Sequence, residues 1–166
     1  MTDYDPPLRD IRFVLEELTG LDTVLGLPAF AALGRDDITD ILDHASRFGV
    51  GELAPLYRTS DSVGCRLENG SVVTPPGFAS VWKQFGEAGW CGATADPAQG
   101  GQGLPRLVGG ALAEIWNAAN MPFTLCAALT ESAATLFAQH GTAAQQALYL
   151  PKLVSGEWTG AMAITE

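Results

Sequence analysis

The sequence predicts an all-α fold that carries one small β-hairpin and ends in a first β-strand whose partners are missing. Three observations predict it. Apolar residues recur at three- and four-residue spacing through most of the chain. Asn69-Gly70 separates two short β-compatible runs, the strongest local hairpin signal. From Trp158 onward, Trp158, Gly160, Met162 and Ile164 alternate with Thr159, Ala161, Ala163 and Thr165, which is the period of a strand.

Residues 1–34 read as an N-terminal segment with one helix. Leu8, Ile11, Phe13, Val14, Leu15 and Leu18 keep helical spacing between Pro7, suited to a first turn, and the stop at Gly20. Residues 20–34 are broken by Gly26, Pro28 and Gly34 and read as a packed connection. A helical domain is expected over 35–156. Its first helix starts near Asp36, carries Ile38, Ile41, Leu42, Ala45 and Phe48, and runs on to about Leu56 despite two glycines. After the hairpin, Thr74-Pro75 opens a helix bearing Phe78, Val81, Trp82 and Phe85 that ends near Gly89. The stretch from Ala93 to Pro105, with Asp96-Pro97 and Gly100-Gly101-Gln102-Gly103, is a loop. Two helices follow, over about 105–119 and 122–140. The second is apolar on every side and is expected to be buried nearly all round. Thr142 and Gln145 form a capping box for a last helix, expected to end before Pro151. Residues 157–166 are the start of a β-domain. A lone strand cannot pair its own backbone groups, so the chain reads as the front part of a larger protein.

Composition narrows the function classes. A net charge of −10 argues against nucleic acid or an anionic membrane surface as partner, while leaving room for a local site for an anionic small ligand. No apolar run is read as approaching the roughly 18–20 residues of a membrane span. Cys65, Cys91 and Cys126 are odd in number and far apart, which fits buried thiols in a reduced, cytoplasmic compartment better than a disulfide framework or a metal site.

Few residues announce chemistry by themselves. The Gly100–Gly103 cluster lacks the order of a dinucleotide fingerprint and reads as a tight turn. His44 is expected on the surface and His140 beside a helix C-terminus. Glu114 and Glu131 lie on separate helices and read as solvated or capped carboxylates. Trp82, Trp90 and Trp116 read as core fillers. Thr165 and Glu166 stand apart, because a hydroxyl and a carboxylate at a strand end can hydrogen-bond a planar heterocycle, with Met162 and Ile164 offering apolar contact.

The stretch His140-Gly-Thr-Ala-Ala-Gln-Gln-Ala-Leu-Tyr-Leu-Pro-Lys-Leu-Val-Ser-Gly-Glu-Trp-Thr-Gly-Ala-Met-Ala-Ile-Thr-Glu166 resembles the acyl-CoA dehydrogenase family. There a helix–turn–helix leads into a strand bearing a T-E-P-x-x-G-S/T-D flavin motif, whose first two residues stand here as Thr165-Glu166. The loop Asp96-Pro-Ala-Gln-Gly-Gly-Gln-Gly-Leu-Pro105 is similar to a glycine-rich loop of the same family. The opening Tyr4-Asp-Pro-Pro-Leu-Arg-Asp-Ile-Arg-Phe-Val-Leu15 and the Asn-Gly hairpin resemble the 3-methylmercaptopropionyl-CoA dehydrogenase-like branch, which carries an extra N-terminal segment.

The resemblance implies an N-terminal helical domain, a central β-domain and a C-terminal helical domain, with FAD between the last two. It implies that Met162, Ile164 and Thr165 meet the flavin edge and that Thr124, Leu125 and Ala128 line the acyl-chain pocket. It places the Gly100–Gly103 loop near that pocket. Partners so implied are an acyl-CoA substrate, an electron-acceptor flavoprotein and further copies of the chain. The catalytic glutamate of relatives lies in the C-terminal domain, so none is nominated among Glu114, Glu131 and Glu166, and no metal is implied. Two alternatives stay open: a stand-alone helical interaction module, and an oxidase or redox-inactive member of the same flavin fold.

Overall fold

Helix formation begins where proline fixes φ. In the computed structural model, which describes residues 4–163, Leu8–Phe13 form α1 directly after Pro7. The helix widens into a π-helical turn over Val14–Leu18. Thr19 closes it by donating its hydroxyl to the carbonyls of Val14 and Leu15, and Gly20 exits at φ 74°. The connection expected over 20–34 holds α2 (Leu21–Leu25) and a 3-10 turn at Pro28–Phe30. Helix α3 spans Arg35–Phe48 and continues as a wide turn at Gly49–Leu53 and a 3-10 turn at Ala54–Leu56. Helix α4 (Tyr57–Val63) has no counterpart in the sequence reading. Strands β1 (Arg66–Glu68) and β2 (Ser71–Val73) pair antiparallel, with Leu67 opposite Val72. Asn69 and Gly70 both take positive φ, as a two-residue type I′ loop requires.

Helix α5 (Phe78–Glu87) starts later than Thr74-Pro75 suggested, because Gly77 at φ 92° sets its entry. The run α6 (Arg106–His140) is two helices, as the sequence predicts, since Asn120 has non-helical dihedrals of φ −160° and ψ 83°. Pro122 has no N–H to give to the preceding turn and its ring would crowd a carbonyl there. The break removes that clash and leaves Pro122 in a first turn. Helix α7 (Ala143–Val154) has the predicted box, with the Gln145 amide on the Thr142 hydroxyl and the Gln145 side chain accepting from the Thr142 amide.

Three expectations are corrected. Helix α7 does not end before Pro151 but runs through it to Val154. Burial of Leu150, Leu153 and Val154 outweighs the one backbone bond that proline removes. The second half of α6 is not buried nearly all round: Phe123, Thr124, Thr130, Ala133 and Ala134 face inward, whereas Leu125 and Leu136 are exposed. Composition alone cannot say which side of a uniformly apolar helix finds a neighbour. Finally, α6 is long and apolar enough to cross a membrane by length and composition, which the sequence reading did not expect, and 28% of its most apolar window is buried.

The chain divides into two compact units, Met1–Tyr57 with Leu104–Met121, and Arg58–Gly103 with Pro122–Glu166. In the first, the wide turn that continues α3 packs against α6, where a Cβ on Gly49 would stand 3.4 Å from the Ile115 side chain and 3.7 Å from Ala119. Leu21, Ile38, Leu42, Leu53, Val108, Leu112 and Ile115 fill this core. Two buried polar groups fix its register: Trp116 Nε1 donates to the Ala45 carbonyl at 3.2 Å, and Asn120 Nδ2 donates to the Leu53 carbonyl at 3.0 Å. Arg35 holds Asp22 through two guanidinium nitrogens, which keeps that carboxyl below its usual range.

Candidate functional site

The described residues among those that the sequence singled out for ligand contact lie on the second unit, on the later half of α6 and on the segment after α7. An aromatic group anchors that half-helix. Phe123, just past the break, meets Phe78, Trp82 and Phe85 of α5 at ring-centroid distances of 5.6, 5.8 and 5.7 Å. Trp82 Nε1 donates to the Gly156 carbonyl at 2.8 Å, so α5 also holds the chain where it leaves α7. Trp82 and Trp90 are half-buried and Trp116 is buried.

Of the three positions assigned to the acyl pocket, Thr124 is buried, whereas Leu125 and Ala128 are exposed and lie three residues apart on the helix surface. Leu125 is 56% exposed. The structure therefore places Leu125 and Ala128 on one apolar strip and puts Thr124 beneath it.

The segment after α7 is pinned to the same half-helix. The Trp158 amide donates to the Lys152 carbonyl at 3.0 Å, and the Lys152 ammonium lies 4.4 Å from the Trp158 ring centroid while pairing with Glu157 at 2.8 Å. The Gly160 amide donates to the Thr130 hydroxyl at 3.0 Å, and that hydroxyl donates to the Cys126 carbonyl at 2.7 Å. A Cβ on Gly160 would stand 2.6 Å from that of Ala133, so only glycine allows this approach. Sequence reasoning did not single out Thr130. A glycine within a strand-like alternation was the available signal of a close backbone approach. Residues 159–163 hold no ladder partner among the described residues and are irregular. Met162, assigned to the flavin edge, is 41% exposed at this segment's end. Ile164, Thr165 and Glu166 lie outside the described residues.

The Gly100–Gly103 loop is a packing device. The Asp96 carboxylate accepts from the Ala98 amide at 2.8 Å and starts a 3-10 turn over Pro97–Gln99. Gln102 and Gly103 then donate backbone bonds of 2.9 Å to the carbonyls of Gly92 and Ala95. A Cβ on Gly101 would stand 2.1 Å from the Ala95 carbonyl oxygen. Beside the loop, the Thr94 hydroxyl donates to Glu131 at 2.7 Å, which gives that carboxylate a capped structural role. Glu114, His44 and His140 are exposed.

Burial pushes the Cys91 thiol up to about 12, with Cys126 adding a smaller push in the same direction. Burial also raises Cys126, partly offset by its hydrogen bond with Thr130. Both are therefore protonated at neutral pH and poor nucleophiles. Among the described residues, no three His, Cys, Asp or Glu side chains come together as a metal site.

Comparison with known proteins gives a consistent result. The family described as acyl-CoA dehydrogenase, N-terminal domain, matches residues 35–157. The 3-methylmercaptopropionyl-CoA dehydrogenase of Ruegeria pomeroyi is 40% identical over 163 residues, covering 98% of this chain and 28% of the relative. A butyryl-CoA dehydrogenase of Syntrophomonas wolfei is 28% identical over 168 residues, covering 99% and 27%. The mitochondrial isovaleryl-CoA dehydrogenase of Arabidopsis thaliana is 38% identical over 92 residues, covering 55% and 22%. The chain thus spans about a quarter of the length of the curated relatives it matches.

Proposed function

The chain belongs to the acyl-CoA dehydrogenase family, and from that premise we propose that it forms the N-terminal helical part of an FAD-dependent enzyme that introduces an α,β double bond into acyl-CoA thioesters. The observation that carries the reading is the 40% identity, sustained over 98% of the chain, to a relative named for that activity on 3-methylmercaptopropionyl-CoA.

In this reading Leu125 and Ala128 face the acyl chain, and buried Thr124 supports the helix beneath them. Met162, Ile164 and Thr165 approach the flavin edge. The exposed Met162 side chain suits contact with an apolar ring, and the Gly160–Thr130 bond holds the segment that presents it. FAD, when bound, supplies the two-electron oxidant. These residues bind and orient, and none of the 166 is nominated as the base that takes the α proton. The partners proposed are an acyl-CoA, an electron-acceptor flavoprotein and further copies of the chain. The three free cysteines fit a reduced, cytoplasmic setting.

The test has two arms. The full-length protein should reduce an artificial electron acceptor when given acyl-CoA thioesters, and failure with every chain length would overturn the dehydrogenase reading. The 166-residue chain purified alone should retain no stoichiometric FAD and should not turn over. Retention of FAD would show that the flavin site is complete within it.

A further inference from the structure

Gly110 occupies the interior of α6, where glycine is a poor helix former. Among the described residues nothing offsets that cost. No positive φ requires glycine there, and beyond the helix's own backbone no described residue lies within 4 Å of the place a Cβ would take. The position forms part of the wall of a cleft of about 290 Å³ within the first unit. Opposite it stand α1 and the π-helical turn, which present Ile11, Val14 and Leu15. Ile11 and Leu15 are buried, whereas Val14 keeps part of its side chain open. Asp10 and Glu114 also line the cleft, and among the described residues neither joins an ion pair.

We propose that this cleft is a binding site for a small organic cation with an apolar body, an alkylammonium compound in chemical class. The apolar wall removes hydrocarbon from water and the two carboxylates hold the positive head. The net charge of −10 favours the same sign of ligand. Gly110 leaves room for the ligand to reach the helix backbone. Two unpaired carboxylates repel the phosphates of a CoA thioester, so the site selects a ligand class different from the substrate proposed above and stands or falls independently of it.

Hexyltrimethylammonium is the probe. Titrated into the full chain, it should shift the methyl NMR signals of Ile11, Val14 and Leu15 saturably, while hexanoate and 1-hexanol should not. Gly110→Leu improves the helix while filling the cleft, and should weaken binding at least about tenfold. The double variant Asp10→Asn with Glu114→Gln keeps the shape, removes the charges and should weaken binding comparably. It decides the matter alone if Gly110→Leu does not fold. Binding of hexanol or hexanoate as tight as that of the ammonium probe overturns the proposal, as does unchanged affinity in the double variant. A dimer, seen by sedimentation, that dissociates in Gly110→Leu would make a second copy the occupant and would overturn it too.

Discussion

In the unit built from Met1–Tyr57 and Leu104–Met121, the sealed side chains are large aliphatics such as Leu21, Ile38, Leu42, Leu53, Leu112 and Ile115. In the unit built from Arg58–Gly103 and Pro122–Glu166, Phe85 and Thr130 are sealed to that degree, while Val81, Phe123, Leu150, Leu153 and Val154 are buried slightly less completely beside small residues and partly exposed rings. The first unit relies on burial of hydrocarbon. The second adds to its buried hydrocarbon a set of close approaches at Gly92, Gly101, Gly156 and Gly160 and the hydrogen bond of Thr130. Both units leave large apolar side chains in the open, Phe13, Leu18 and Leu27 in the first and Leu125, Leu136, Leu148 and Met162 in the second. The positions assigned to ligand contact fall in the unit that depends less on a sealed core, where elements can be re-covered by whatever docks on them.

That contrast can be broken most forcefully at the cores. Leu112→Ala removes a fully buried side chain of the first unit and should cost about 3 kcal/mol, whereas Leu125→Ala on the exposed strip should cost under about 0.5 kcal/mol. Urea unfolding followed by circular dichroism measures both, and similar losses would erase the distinction. Next in size is Gly101→Ala. The Ala95 carbonyl that its Cβ would strike is backbone already held by Gly103, so a loss of about 2–3 kcal/mol is expected in thermal unfolding. Wild-type stability would show that the loop packs less tightly than its geometry requires.

Thr130→Val keeps the shape and removes the hydroxyl that receives the Gly160 amide. The expected loss is about 1 kcal/mol, together with faster hydrogen exchange at Gly160. Unchanged exchange there would mean that the segment carrying Met162 is held by something else. The smallest effect concerns thiols. Iodoacetamide at pH 8 should label exposed Cys65 first and Cys91 last, as mass spectrometry of timed samples would show. Between about 9 and about 12 the unfolded chain loses the Cys91 proton while the folded chain keeps it. The folded state then binds more protons, so stability should fall as pH rises through that window, and Cys91→Ser should flatten the decline.

Much of this architecture was legible locally. The Asn69-Gly70 hairpin, the Thr142–Gln145 box, the break near Pro122 and the glycine stop after α1 follow from rules that act within a few residues of one another. The family, too, could be read from the loop at residues 96–105 and the stretch 140–166, because both are long and ordered strings of particular residues. The role of Thr130 was not legible, since its partner Gly160 lies 30 residues away and a threonine in an apolar helix looks like any other.

Although the short helices α2 and α4 escaped it, the sequence by itself determined the longer helices, the hairpin, the Thr142–Gln145 cap, the break near Pro122 and the family to which the chain belongs. These depend on dihedral preference, capping and residue order, all of which act locally. Only the tertiary structure decided that α7 continues through Pro151, that one side of the second half of α6 stays open, and that Gly110 borders a cleft. Burial depends on which neighbour arrives at each surface, and in this chain those neighbours are often dozens of residues away in sequence.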